Sequence, residues 1–129
     1  MRRIAFWFFA TAAVYGALSI AWLAFAASQG QSTLAPLQAN LFSWPTMALF
    51  GLYYHLVPSS RDHLLAKLHF LVATLGLLAL APGMAIADQA GPGSAGLLIV
   101  GATLTVGSML MFIFTVWRDY GATSTRYRY

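Results

Sequence analysis

The sequence predicts an all-α, polytopic membrane protein with four transmembrane helices and both termini on the cytoplasmic side (N-in/C-in). Three observations carry that prediction. Four mostly apolar runs, each of the roughly 20 residues that a spanning helix needs, follow one another along the 129 residues. Charged residues make up only 8% of the chain, too few to cover a soluble globule. The cations also gather beside those run ends that share one side of a four-pass topology.

The first run extends from about Ile4 to Ala27, behind Arg2 and Arg3. That outline also suits a signal peptide, but the run is longer than an ordinary h-region and three further spans follow. It is therefore read as a retained first helix. Its small-residue row is Ala12, Gly16 and Ser19, and the polar stretch Ser28 to Thr33 ends it.

The second run, about Pro36 to Val57, opens with a proline in its first turn, where the missing N–H is no loss, and is stopped by Pro58. Pro45 sits mid-span and removes one backbone bond to Leu41, which predicts a kink. Asn40 and Ser43, one turn earlier, are placed to satisfy the freed groups. Asn40 is the one strongly polar side chain well inside a span. Lipid offers it no partner, so it is expected to face a neighbouring helix or another subunit. The packing face reads Asn40, Ser43, Met47, Gly51 and Tyr54.

The third run, about Leu64 to Ile86, has Ser59 or Ser60 as candidate cap and a row of His69, Val72, Gly76, Ala79 and Gly83. Ala90–Gly91–Pro92–Gly93–Ser94 is turn chemistry. The fourth run, about Ala95 to Trp117, carries Gly101, Thr105, Ser108, Phe112 and Thr115 on one face. Residues 118–129 are expected to form a short basic cytoplasmic tail on the membrane surface. The whole chain is thus a single four-helix domain whose small and polar rows pack helix on helix and whose Leu, Phe, Ile and Val faces meet lipid.

Arg2, Arg3, Arg61, Lys67, Arg118, Arg126 and Arg128 all fall on one side of these spans, and Asp88 is the only charge on the other. The positive-inside rule makes the first side cytoplasmic, in a bacterial-type inner membrane. Trp7, Trp117 and Tyr120 fit an aromatic belt there, and Trp22 the opposite one. Seven scattered cations are not a nucleic-acid footprint, despite a net charge of +4. The chain has no cysteine, which excludes disulfides, thiolate metal sites, iron–sulfur clusters and covalently attached haem.

Histidine is the remaining candidate ligand for a metal or for haem b. His55 ends the second run, His63 opens the third, and His69 lies two turns deeper. His63 and His69, six apart on one helix, point to opposed faces and cannot share an iron. His55 and His69 could approach across the hairpin, with a depth difference of roughly 9–13 Å. The bland alternatives are snorkelling for His55 and His63, and a hydrogen bond to a neighbouring helix for His69.

The stretch from Asn40 through Trp44, Phe50–Gly51–Leu52–Tyr53–Tyr54 and Pro58 to His69–Phe70 resembles the catalytic subunit of haem-copper oxidases, in its nitric-oxide-reductase and cbb3-type branch. It is closer still to small four-helix proteins related to that subunit. The resemblance covers about Pro36 to Phe70. In that family two histidines open the second helix, and counting back from Trp44 places them at Pro36 and Gln38, which cannot ligate haem. Ser43 replaces a glycine, and His69 matches a position that is not an established ligand. The resemblance therefore implies the architecture of one oxidase-like four-helix arc without its metal ligands. Three such arcs around an axis make a homotrimer the expected assembly, with a dimer next. The expected role is a non-catalytic scaffold or accessory component, for which Asn40, Ser43, Trp44, Pro45, Gly51, Gly76, Gly101 and Thr105 supply helix or subunit packing. A b-type haem electron carrier using His69 or His55 is the alternative. A small transporter or channel ranks last, since the spans show no acid, no basic pore residue and no inverted repeat.

Overall fold

The computed structural model describes residues 3–57, 59–60 and 64–124. Four helices follow one another: α1 (Arg3–Ser28), α2 (Leu34–Leu56), α3 (Leu64–Ala90) and α4 (Gly96–Ser124), with a short 3-10 turn at Pro92–Ser94 before the last. Helices are the form such a chain has to take, because each satisfies its own backbone polar groups where lipid cannot. α1, α3 and the Gly96–Ala122 part of α4 are long and apolar enough to cross a membrane. At 1.5 Å per residue they span about 39–41 Å, more than a bilayer core of about 30 Å. α2, with 23 residues, is long enough but more polar, since it carries Gln38, Asn40, Ser43, Tyr53, Tyr54 and His55.

The turns at the end of the bundle remote from the termini have clear causes. Gly30 adopts a left-handed φ of 65°. Its N–H donates to the Ala27 carbonyl, and the Gln31 N–H reaches the Ala26 carbonyl at 2.9 Å. Those two bonds make a Schellman cap that closes α1. Gly91, with φ 80°, ends α3 through one bond from its N–H to the Ala87 carbonyl, and Pro92 then prevents continuation.

α1 packs along α2 and α3 packs along α4, and the two hairpins meet mainly through α2 and α3. The rows expected from the sequence are the buried ones on α2 (Ser43, Met47, Gly51, Tyr54) and largely on α4 (Gly101, Ser108, Thr115). On α3 the buried row is displaced: Ala73, Leu77 and Leu80 join His69, Gly76 and Gly83, while Val72 and Ala79 sit at its margin. The α3–α4 seam is set by glycine. A Cβ at Gly83 would lie 2.5 Å from the Leu98 nitrogen, and one at Gly101 would overlap the backbone of Leu80. Gly76 faces Thr105 in the same way, at 3.0 Å. The outer surface is largely apolar, with Leu18, Phe25, Leu41, Leu49, Leu71, Leu78, Ile99, Leu110 and Ile113 among its exposed residues. A surface of that kind is made for lipid or protein rather than water.

Three expectations are corrected. α2 runs unbroken through Pro45, but Asn40 and Ser43 do not serve the Leu41 carbonyl. The Asn40 amide donates to Ser19 Oγ on α1 at 2.8 Å, and the Ser43 hydroxyl turns back to the Asn40 carbonyl. The fourth helix does not stop at Trp117, and residues 118–124 continue it. An acid expected outside the packed spans, Asp119, is also buried near the end of the apolar Gly96–Ala122 stretch. Residues 125–129, Arg61 and His63 lie outside the described residues; of the two candidate caps for α3, which are described, Ser60 is buried and its hydroxyl has no hydrogen-bond partner among the described residues.

Candidate functional site

The side chains with chemistry converge where α1, α2, α3 and α4 meet, in the half of the bundle nearest the termini. The centre is aromatic. Phe8 from α1, Phe50 and Tyr54 from α2, His69 from α3 and Phe112 from α4 form one ring cluster. The His69 ring centroid lies 5.3 Å from Phe8, 4.4 Å from Phe50, 5.7 Å from Tyr54 and 6.0 Å from Phe112. Phe8 stacks on Tyr54 and meets Phe70 edge-on. Edge-to-face and offset contacts of this kind each add to the burial of apolar area. Gly51 lets α1 approach closely enough to seat Phe8, since a Cβ there would lie 3.1 Å from the Phe8 Cβ.

His69 is fully buried, as is Tyr54. Their polar ends meet, with Tyr54 Oη 2.9 Å from His69 Nδ1. If the phenol donates to Nδ1, the imidazole proton resides on Nε2, which has no hydrogen-bond partner among the described residues. Haem does not fit this arrangement. Four side-chain rings already pack around the enclosed imidazole, and a porphyrin would have to displace them. His55, one residue beyond Tyr54, is exposed on the outside of α2 and is not among the ring neighbours of His69. The two candidate ligands are therefore not brought together. Among the described residues no group of three His, Cys, Asp or Glu side chains is arranged to hold a metal ion.

A second polar group lies one turn nearer the termini. The Tyr53 hydroxyl donates to Asp119 Oδ2 at 2.7 Å, and Arg118 approaches Asp119 Oδ1 at 3.2 Å. The carboxylate thus receives a phenol from α2 and a guanidinium from its own helix, which explains how it is tolerated while only 9% exposed. This group was missed from the sequence although a signal for it existed. The α4 row Gly101, Thr105, Ser108, Phe112, Thr115 continues at the next four-residue step to Asp119.

The remaining packing candidates serve the α1–α2 and α3–α4 seams. Trp44 is half-exposed and lies over Gly16, where a Cβ would approach it to 3.3 Å. Pro45 lines a groove on the α2–α4 side with Thr46, Phe50, Met109 and Phe112. The Thr105 hydroxyl bonds the Gly101 carbonyl of its own helix at 2.8 Å, so it supplies shape to the seam and no bond across it. Taken together, these groups hold helices in place. No protein-family model, no curated protein and no solved structure matches this chain.

Proposed function

We propose that this chain is a non-catalytic integral protein of a bacterial-type inner membrane, a scaffold or accessory component that crosses the bilayer four times with both termini in the cytoplasm. The observation that carries the reading is the filled interior. Where the helices converge, the space is occupied by Phe8, Phe50, Tyr54, His69 and Phe112 in mutual contact. Such a centre maintains shape and offers no room for a reacting molecule.

The fourth crossing is supported by where α2 directs its polarity. Asn40 bonds Ser19, Tyr54 meets His69 and Tyr53 meets Asp119, so these groups are satisfied inside the bundle. The mid-helix polarity of α2 is therefore turned away from lipid, and its exposed polar residues, Gln38 and His55, lie in the first two turns and the last turn. The orientation rests on Arg3, Lys67 and Arg118, which an up-and-down bundle gathers at one end.

Self-assembly as a homotrimer is part of the same reading. It rests on the resemblance to one arc of the haem-copper oxidase subunit and on the sequential packing of α1 on α2, α2 on α3 and α3 on α4. A groove of about 610 Å³ on the outside of α1 and α2, lined by Ala12, Ala13, Gly16, Ala17, Asn40 and Trp44, has the small residues that let another helix approach closely.

Because the chain lacks cysteine, topology is tested directly with single-cysteine variants. Gln31→Cys and Gly93→Cys are expected to react with an impermeant maleimide from outside the cell, and Ser59→Cys and Gly121→Cys only after lysis. Labelling of all four from one side would overturn the four-pass reading. Native mass spectrometry from mild detergent tests assembly, with a trimer expected and a dominant monomer or dimer ending that part. A stoichiometric haem spectrum from protein supplied with haem, abolished by His69→Ala, would replace the scaffold reading altogether.

A further inference from the structure

At the end of the bundle remote from the termini, the last turns of α1 and α3 and the loop between α1 and α2 border a half-open cavity of about 290 Å³. Trp22, Gln31, Ser32, Ala85, Asp88 and Gln89 line it. Its chemistry differs from that of the rest of the surface. Asp88 is the only charged residue that the sequence places at this end, and no Lys or Arg lies near it in the chain. Among the described residues, Asp88 makes no hydrogen bond or ion pair, and the Trp22 indole N–H and the Gln31 and Gln89 carboxamides make none either. The site thus combines an uncompensated carboxylate, an indole and two free amides around a space of small-molecule size.

We propose that this cavity binds an organic ammonium group, either the amine of a lipid headgroup or a free quaternary amine. Three features select that chemistry. The carboxylate supplies the countercharge that the protein itself withholds. The face of a tryptophan is the best aromatic partner for a weakly hydrated cation. The carboxamides can accept N–H donors from a primary amine or orient the polar remainder of a headgroup. Anions are excluded, because no cation is at hand. A divalent metal is a poor match, since calcium takes six to eight oxygen ligands and only one carboxylate is present here. The location also suits a headgroup, because Trp22 lies near the end of a membrane-length helix, where indoles settle at the lipid–water boundary.

The test uses the full chain purified in a maltoside detergent, which carries no amine. Choline chloride is titrated by calorimetry beside its neutral isostere 3,3-dimethyl-1-butanol and beside potassium and calcium chloride. In parallel, native mass spectrometry compares retention of phosphatidylcholine and phosphatidylethanolamine with that of phosphatidylglycerol. Saturable choline binding, or selective retention of the amine lipids, is expected. Asp88→Asn and Trp22→Leu should each weaken it by about tenfold or more. Choline binding without lipid retention identifies a free amine as the ligand, and lipid retention without choline binding identifies the headgroup. Equal binding of the neutral isostere, binding of calcium in preference to choline, or amine binding unchanged in Asp88→Asn overturns the proposal. So does the absence of both choline binding and amine-lipid selectivity. Asp88 is exposed, so Asp88→Asn should keep the helical content of the parent protein.

Discussion

Tyr54 Oη and His69 Nδ1 lie 2.9 Å apart across the α2–α3 interface, and neither side chain reaches the surface. This matters because the α1–α2 and α3–α4 hairpins are each extensively packed, whereas α2 and α3 share a smaller contact. The bond and the rings around it therefore join the hairpins at their common centre. A buried imidazole with one nitrogen already unpartnered is sensitive to losing the other partner.

Tyr54→Phe is expected to destabilise the bundle by about 1–2 kcal/mol, since it leaves both imidazole nitrogens unpaired while preserving the ring contacts. His69→Leu should cost a comparable amount through lost ring packing. The double variant should lose less than the sum of the two, because the phenol–imidazole bond is removed only once. Unfolding of the four proteins in mixed micelles, followed by circular dichroism, measures the cycle. Strict additivity would mean that the bond contributes nothing.

The Tyr53–Asp119 bond predicts a local effect. Tyr53→Phe removes the phenol that joins α2 to the last turns of α4. Amide hydrogen exchange should then accelerate in residues 118–122 while the Phe50 and Met47 turns of α2 stay protected. Asp119→Leu should loosen the same segment and leave Arg118 without its carboxylate. Uniform acceleration along the whole of α4 would show that the group stabilises the entire helix rather than its end.

The four helices were legible in the sequence because hydropathy, turn residues and charge placement agree on them. The packing faces were legible because small and polar residues repeat at three and four on α2 and α4. What escaped was positional. Asp119 and Arg118 read as the start of a tail because a charge normally ends a span. Only the partner on α2 reveals that the carboxylate is enclosed. The ring cluster draws Phe8 and Phe112 from opposite ends of the chain, and one-helix periodicity does not say which rows meet. His69 was singled out correctly as the deep histidine, but its partner, Tyr54, was visible only once α2 and α3 were set side by side. The cavity at Asp88 likewise depends on a loop folding over the end of α3.

Asn40 supplies a third prediction. Its amide donates to Ser19 Oγ, whose own proton goes to the Tyr15 carbonyl at 2.8 Å, so the two residues form one chain of bonds between α2 and α1. Asn40→Leu should weaken the α1–α2 hairpin by about 0.5–1.5 kcal/mol, the usual range for a polar contact between membrane helices. Ser19→Ala should have a similar effect and add little to it. Asn40 also lines the α1–α2 groove, but its one hydrogen-bonded partner is within the chain, so the oligomer seen by native mass spectrometry should be unchanged by Asn40→Leu. Dissociation of the assembly at full helical content would instead place Asn40 at a subunit contact.

Two glycines on α4 offer a matched pair for the last prediction. A Cβ at Gly101 would overlap the Leu80 backbone, whereas one at Gly107 meets nothing within 4 Å. Both substitutions raise helix propensity equally, by up to about 1 kcal/mol in water. Only Gly101→Ala forces two backbones apart, and since they belong to rigid helices rather than to flexible side chains, the strain has no cheap outlet. Gly101→Ala should therefore destabilise the α3–α4 seam by about 1–3 kcal/mol. It should also separate the helices around Gly76 and Gly83, which depend on the same close approach. Gly107→Ala should be neutral or slightly stabilising. Parallel denaturation of the two variants, with a cysteine cross-link between positions 79 and 102 to report the helix separation, distinguishes a packing seam from a mere propensity effect. Equal stability of the two variants would mean that α3 and α4 are not held at glycine distance.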